Sequence, residues 1–274
     1  MTINCRGNLI DLSAPKIMGI INITPDSFFS GSRTETEKDI LKKAEQMLNE
    51  GADFLDIGGY SSRPGAKDIS VEAEIKRVIP VIELLLKNFP DAILSIDTFR
   101  SKVAEESIKA GAHIINDISA GSLDKDMMPI IAKFQVPYIM MHMKGTPQNM
   151  KEMNQYDDLI QEILLYFSEK VKKARDLGIN DLIIDPGFGF AKNIQQNFDL
   201  LSNLEAFKIL ELPILAGLSR KSLIYKTFNT TAENALNGTT VLNTISIQKG
   251  ANILRVHDVK EAAECVKLLS RIKK

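Results

Sequence analysis

Short apolar runs alternate along this chain with longer stretches in which apolar residues recur every three or four positions. Residues 16–23 form the first run, Lys-Ile-Met-Gly-Ile-Ile-Asn-Ile. A run this unbroken is the pattern of a strand buried on both faces. Comparable runs cover residues 54–57, 93–96, 113–115, 137–141, 182–184, 213–216 and 253–254. Between them the period lengthens to that of a helix. Residues 34–49 place Ile40, Ala44, Met47 and Leu48 on one face, space Thr34 and Glu37 as a capping box, and end at Gly51. Residues 71–87 turn Ile75, Val78, Ile79, Ile82 and Leu86 inward, with Pro80 placed to disturb the helix. Residues 157–177 keep Ile160, Ile163, Leu164, Phe167, Val171 and Ala174 in register before Gly178. Residues 101–110, 124–134, 197–210 and 259–269, with a further helix contained in 231–249, complete the helical set.

Strands that alternate with helices pair in parallel through right-handed crossovers. Eight such units in about 250 residues are the size of an α/β protein of the (β/α)8, or TIM, barrel type. A doubly wound open sheet is the alternative. It is weakened because no Gly-x-Gly-x-x-Gly opens a helix after the first strand. The expectation is a single domain over residues 1–274, with residues 1–15 an N-terminal hairpin closing the barrel bottom.

The 274 residues carry a formal net charge of -1, with 25% charged and 44% hydrophobic residues. This soluble, globular composition holds no basic excess that would call for nucleic acid. No apolar run approaches the ~20 residues of a membrane span, and residues 1–11 lack a signal-peptide pattern. Cys5 and Cys265 lie near opposite ends without metal-site spacing. They are expected as free thiols in a reducing cytoplasm.

The chemistry gathers where the strands end. Gly51-Ala52 leads to Asp56, Gly111-Ala112 to Asn116 and Gly250-Ala251 to Arg255, each polar residue the fifth after its glycine. Equal spacing from helix stop to strand end predicts that these three side chains stand at one height around one mouth. Asp97, His142, Asp185, Lys221 and His257 fall at or just past other strand ends. Asp97, Asn116 and Asp185 suit a flat heterocycle bearing amino and lactam groups, because carboxylates accept paired N–H bonds and an amide both donates and accepts. Taken singly, each carboxylate could instead be a barrel ion pair with Lys or Arg. Arg63, Lys221, Arg255 and His257 suit phosphate or diphosphate, with Ser219 and Ser222 as further hydroxyl donors. The loop after the first strand carries Phe28 and Phe29, a binding surface or lid, or else packing on the barrel rim. A hard cation held through diphosphate and one protein oxygen, such as that of Asn22, would fit magnesium.

These segments resemble the dihydropteroate synthases of the pterin-binding enzyme family. The likeness runs through residues 18–28 and 56–65 (Asp-Ile-Gly-Gly-Tyr-Ser-Ser-Arg-Pro-Gly). It continues through residues 95–98, 116–117, 141–143, 185–190, 219–222 and 255–258, and so spans nearly the whole chain. The resemblance implies a transferase of folate biosynthesis that joins 6-hydroxymethyl-7,8-dihydropterin diphosphate to p-aminobenzoate, releasing diphosphate. It further implies that Asp97, Asn116, Asp185 and Lys221 hold the pterin. By the same resemblance Asn22, Ser62, Arg63, Arg255 and His257 bind diphosphate. Ser62, Pro64, Phe190 and Ser222 line the p-aminobenzoate pocket, where sulfonamides would compete. Arg63, Lys221, Arg255 and His257 form the implied catalytic set, with magnesium at Asn22, mobile loops that exclude water, and a homodimer formed through the last helices. Tyr60 and Ser62 depart from the family pattern, which often has Glu or a small apolar residue at the first position and usually Thr at the second. Two other readings remain: a pterin-binding methyltransferase working with a corrinoid protein, and a non-catalytic pterin-binding homologue.

Overall fold

The computed structural model describes residues 1–23, 33–60, 68–150 and 152–272, with the side chains of residues 33–36 excepted. A short antiparallel hairpin comes first, β1 (Thr2–Cys5) and β2 (Asn8–Asp11). Eight parallel strands follow: β3 (Lys16–Asn22), β4 (Phe54–Gly58), β5 (Ile93–Asp97), β6 (Ile114–Asp117), β7 (Tyr138–Met141), β8 (Leu182–Asp185), β9 (Leu215–Ala216) and β10 (Ile253–Val256). They lie in the order β8-β7-β6-β5-β4-β3-β10-β9. One bridge, Ile184 to Ile214, joins the two ends, and the Ile184 N–H donates to the Pro213 carbonyl at 2.9 Å. The result is the expected (β/α)8 barrel.

The interior is layered by the two-residue period of a strand. Met18, Phe54, Ile93, Ile114, Ile139, Ile183, Leu215 and Ile253, one from each barrel strand, make a lower apolar layer. Ile3 and Cys5 of β1 and Leu12 after β2 pack into that layer from below. Two residues further along each strand stand Ile20, Asp56, Ser95, Asn116, Met141, Asp185, Gly217 and Arg255. That layer is polar, and it floors the mouth. The intervening positions, among them Leu55, Ile57, Leu94, Ile96, Ile115, Met140 and Leu254, face outward into the helix-covered core.

The helices in chain order are α1 (Arg33–Asn49), α2 (Val71–Asn88), α3 (Ser101–Lys109), α4 (Met127–Phe134), α5 (Leu159–Asp176), α6 (Ile194–Ser202), α7 (Ser222–Thr227), α8 (Leu236–Lys249) and α9 (Val259–Ile272). Several differ from the periodic reading. Residues 197–210 are not one helix, because α6 ends at Ser202 and a 3-10 segment, Leu204–Leu210, follows. The helix expected within 231–249 is present and runs from Leu236, after a single 3-10 turn, Ala232–Asn234. The short α7 carries no long period and was not foreseen. α2 runs straight through Pro80, and its buried face is Glu74, Val78, Val81, Ile82 and Leu85. Ile75, Ile79 and Leu86 are only half-buried. The buried apolar set Val78, Val81, Ile82 and Leu85 keeps the i, i+3, i+4, i+7 spacing of a helix face, and Glu74, one turn earlier, pairs with Arg100 at 2.9 Å. The Thr34 capping box lies among side chains outside the described residues. Cys5 and Cys265 are both free and buried. Among the described residues no helix is long and apolar enough to cross a membrane.

Candidate active site

The polar layer opens into a cavity at the C-terminal ends of the strands. Asp97, Asn116, Ile118, Met141, Asp185, Phe190, Gly217, Lys221 and Arg255 line it. This is the end of a (β/α)8 barrel at which catalytic groups collect. The equal glycine spacing holds in space: Asp56 Oδ2 accepts from Asn116 Nδ2 at 3.1 Å and from Arg255 Nε at 2.6 Å. Arg255 also donates through Nη2 to Asp97 Oδ2 at 2.6 Å. Asp97 is therefore ion-paired in this structure and at the same time faces the cavity.

Asp185 ends β8, and its Oδ1 accepts from the Gly187 N–H at 2.8 Å. Burial raises its pKa, against the pull of Lys221 and the Gly187 N–H. Burial likewise pushes Asp97 up to about 7, opposed by Arg255 and reinforced by Asp56. Lys221 stands one residue before α7, donates to the Phe188 carbonyl and lies 5.1 Å from the centre of the Phe190 ring. Burial brings its ammonium down to about 8, though Asp185 opposes the shift. Arg255 keeps its charge: burial opposes it, but Asp56 and Asp97 outweigh the penalty. A cavity walled by two buried carboxylates, an amide, an ammonium and a guanidinium can hold a neutral donor-rich ring on one side and an anion on the other.

The remaining expected residues are placed less centrally. Ser222 opens α7 and is half-buried beside Lys221. The His257 N–H donates to Ser219 Oγ at 3.2 Å, tying the end of β10 to the loop after β9. Ser62, Arg63 and Pro64 lie outside the described residues, as do Phe28 and Phe29. His142, expected at the rim, is instead turned outward. It follows Met141 by one residue, so the strand alternation carries Met141 to the cavity and His142 to α5, where its ring meets Tyr166 edge-on at 4.9 Å.

Sequence reasoning missed Lys192. It is nearly fully buried, and its Nζ contacts His142 Nδ1 at 3.0 Å, the Gly187 carbonyl at 3.0 Å and the Phe190 carbonyl at 3.1 Å. With Lys221 on Phe188 and the Tyr156 hydroxyl on Ala191 at 2.9 Å, the carbonyls of residues 187, 188, 190 and 191 are all held. Nothing in the sequence signals this, because Lys192 reads as an ordinary polar residue before a helix.

Among the described residues no group of three or more His, Cys, Asp or Glu side chains could close around a metal ion. Asn22 offers one amide oxygen. A side chain at Gly58 would lie 3.4 Å from Asn22 Oδ1 and 3.9 Å from Asp97 Oδ2, so the glycine leaves that oxygen accessible. One hard oxygen without a protein cage fits magnesium carried in by a ligand's own phosphate oxygens.

Residues 18–257 match the family described as pterin binding enzyme. The chain belongs to the pterin-binding enzyme family. The dihydropteroate synthase of Escherichia coli K12 is 42% identical over 271 residues, covering 98% of this chain and 95% of that protein. The Yersinia pestis dihydropteroate synthase solved as a complex with a sulfonamide drug superimposes with a TM-score of 0.93 at 41% identity, covering 99% of each chain. The Xanthomonas albilineans dihydropteroate synthase solved with 4-aminobenzoic acid gives a TM-score of 0.92 at 38% identity, covering 99% of this chain and 97% of that one. Solved dihydropteroate synthases thus share this barrel over nearly their whole length.

Proposed function

We propose that this chain is a dihydropteroate synthase. It would condense 6-hydroxymethyl-7,8-dihydropterin diphosphate with p-aminobenzoate to give 7,8-dihydropteroate and diphosphate in folate biosynthesis. The observation that carries the reading is one cavity lined by both Asp97, Asn116 and Asp185 and by Lys221 and Arg255. Asp97, Asn116, Asp185 and Lys221 hold the pterin ring. Arg255 and His257, with Asn22, Ser62 and Arg63, hold the diphosphate. Ser62, Pro64, Phe190 and Ser222 take p-aminobenzoate, and sulfonamides compete there.

The amine of p-aminobenzoate, neutral at pH 7, forms a C–N bond to the pterin methylene carbon as the C–O bond breaks and diphosphate leaves with the bonding pair. The amine proton then passes to solvent or diphosphate. Arg63, Lys221, Arg255 and His257 stabilise the charge that grows on the leaving group. The carboxylates of Asp97 and Asp185 favour positive charge on the pterin side. Magnesium, held by Asn22 and the diphosphate oxygens, would supply further neutralisation of that leaving group. A methyltransferase acting with a corrinoid protein would have little use for Arg255 and His257, and a non-catalytic homologue would have no need to keep both.

The test is product formation from the pterin diphosphate and p-aminobenzoate, with diphosphate release followed in parallel, with and without magnesium. Equal, magnesium-dependent yields of dihydropteroate and diphosphate are expected. Pterin binding without turnover would overturn the synthase reading. We place the protein in the cytoplasm, acting as one pterin-binding unit over residues 1–274, and as a homodimer formed through α8 and α9. Val241, Leu268 and Ile272 are exposed on those helices. Sedimentation equilibrium at the mass of a monomer would exclude the dimer.

A further inference from the structure

Arg255 holds two carboxylates with the two ends of one guanidinium. Its Nε, nearer the backbone, bonds Asp56 Oδ2, and its Nη2, at the tip, bonds Asp97 Oδ2. β10 pairs with β3 and β9, so Arg255 reaches past β3 to carboxylates on β4 and β5. Asp56 and Asp97 are not equivalent partners. Asp97 lines the cavity and Asp56 does not. Asp56 is fully buried beneath it, also accepts from Asn116, and among the described residues its Oδ1 has no hydrogen-bond partner. The guanidinium thus has one partner a ligand can reach and one it cannot.

On the reading of this cavity as a pterin and diphosphate site, bound substrate needs the Asp97 carboxylate for ring N–H groups and the Arg255 tip for an anion. In this structure each satisfies the other. The two must part when substrate binds, and a guanidinium leaving Asp97 without a second anchor would be a mobile charge. We infer that Asp56 is a positioning residue: it keeps Arg255 in the pocket by Nε while the Nη end passes from Asp97 to the anion. An anion that draws the Arg255 tip away also frees Asp97 for the pterin. Pterin and diphosphate therefore bind cooperatively, although they occupy different ends of the site. The exchange has two discrete arrangements, and each ligand favours the same one, which is the requirement for such coupling.

The test uses the full chain, a pterin lacking the diphosphate group (6-hydroxymethylpterin) and inorganic diphosphate. Calorimetry gives the pterin dissociation constant without and with saturating diphosphate in one buffer. Diphosphate should tighten pterin binding on the order of tenfold, in the range of ordinary coupling factors. Asp56→Asn should weaken pterin binding when diphosphate is absent, because Arg255 then rests on Asp97 alone. It should weaken binding less when diphosphate is present, so the ratio of the two constants rises. A purely structural role for Asp56 would scale both constants together and leave the ratio unchanged, which would overturn the inference. Should Asp56→Asn fail to fold, Arg255→Met carries the test, since its ratio should fall to one. A wild-type ratio of one also overturns the coupling while leaving the pterin site standing. Absence of any pterin binding by the wild-type protein would overturn the site reading beneath it.

Discussion

Lys192 Nζ is hydrogen-bonded to Nδ1 of His142 across 3.0 Å, at the outer side of the loop that follows β8. While Lys192 is an ammonium it has no lone pair to offer, so the neutral imidazole accepts through Nδ1. Burial, with Lys192 and then Lys144 nearby, brings His142 down to about 2. Burial also brings Lys192 down to about 7, with Asp185 opposing the shift and Lys221 and Lys144 assisting it. Lys192 also holds the Gly187 and Phe190 carbonyls, and so the wall of the cavity, from outside the cavity's lining.

This pairing makes stability depend on pH in a defined direction. His142 stays neutral in the folded protein but protonates in the unfolded chain near its ordinary 6.5. Below that pH the unfolded state binds the extra proton, and the folded state loses up to roughly 1.4 kcal/mol per pH unit from this group. His142→Asn keeps an acceptor for Lys192 and removes the titration. Urea unfolding from about pH 6.5 down to about pH 4.5 should therefore show a shallower decline in the variant. Parallel pH profiles for the two proteins would refute the assignment. Lys192 acts over a separate window: its contribution rises with pH from about 7 to its usual 10.5, where the unfolded chain holds the proton and the folded protein has released it.

The barrel was legible because its information is local. Unbroken apolar runs marked the strands, and the repeated glycine-to-polar spacing placed Asp56, Asn116 and Arg255 at one height. Two residues per strand step then put Asp97, Asn116, Asp185 and Arg255 around one mouth. What depended on pairing between distant elements was not legible. The inward face of α2 lies one residue off its periodic reading, and nothing local to the helix announces that Glu74 pairs with the distant Arg100. His142 differs from Met141 by one step of alternation, and a strand end read one residue off sends a side chain to the opposite face. The break at Ser202 carries no proline or glycine to announce it.

Glu74 and Arg100 allow a prediction about buried charge. The carboxylate is fully buried, and its Oε2 meets Arg100 at 2.9 Å. Burial raises its pKa, with Thr98 and Arg100 opposing. Arg100 also bonds Asp68 at 3.0 Å and the Ile69 carbonyl at 2.6 Å. Arg100→Met strands the carboxylate and should lower unfolding free energy by about 3–5 kcal/mol. Adding Glu74→Leu should restore most of that loss, because no buried charge remains. Chemical denaturation of the single and double variants decides it; equal stability in the two would mean that the pair is not what matters.

Asp185→Asn separates binding from folding. The amide oxygen can keep the Gly187 N–H bond, while the amide nitrogen turns a donor toward the pterin's own donors. Pterin affinity should fall on the order of 100-fold or more, the loss of charge-assisted bonds worth about 3 kcal/mol. Stability should hold or rise, since the folded chain no longer buries a carboxylate whose pKa burial has already raised. Calorimetric titration beside a thermal melt gives both readings. Unchanged affinity would remove Asp185 from the pterin set.

Gly187→Ala should be far more damaging than Gly178→Ala, although both glycines adopt a positive φ, +75° and +81°. Left-handed backbone alone costs an alanine about 1 kcal/mol. At Gly178 a methyl group would meet nothing within 4 Å, so that strain is the whole penalty. At Gly187 the methyl carbon would lie 2.1 Å from the His142 carbonyl oxygen and 3.2 Å from its carbonyl carbon. That backbone cannot withdraw easily, because the His142 N–H is bonded to the Asp185 carbonyl at 2.9 Å and holds β7 against β8. The loop must move instead, breaking the Gly187 N–H bond to Asp185 and the Lys192 bond to the Gly187 carbonyl. Gly187→Ala should therefore cost at least about 2 kcal/mol more than Gly178→Ala in denaturant unfolding. It should also weaken pterin binding, which Gly178→Ala should leave intact. Equal effects of the two substitutions on both measurements would mean that close approach of Gly187 to His142 does not set the cavity wall.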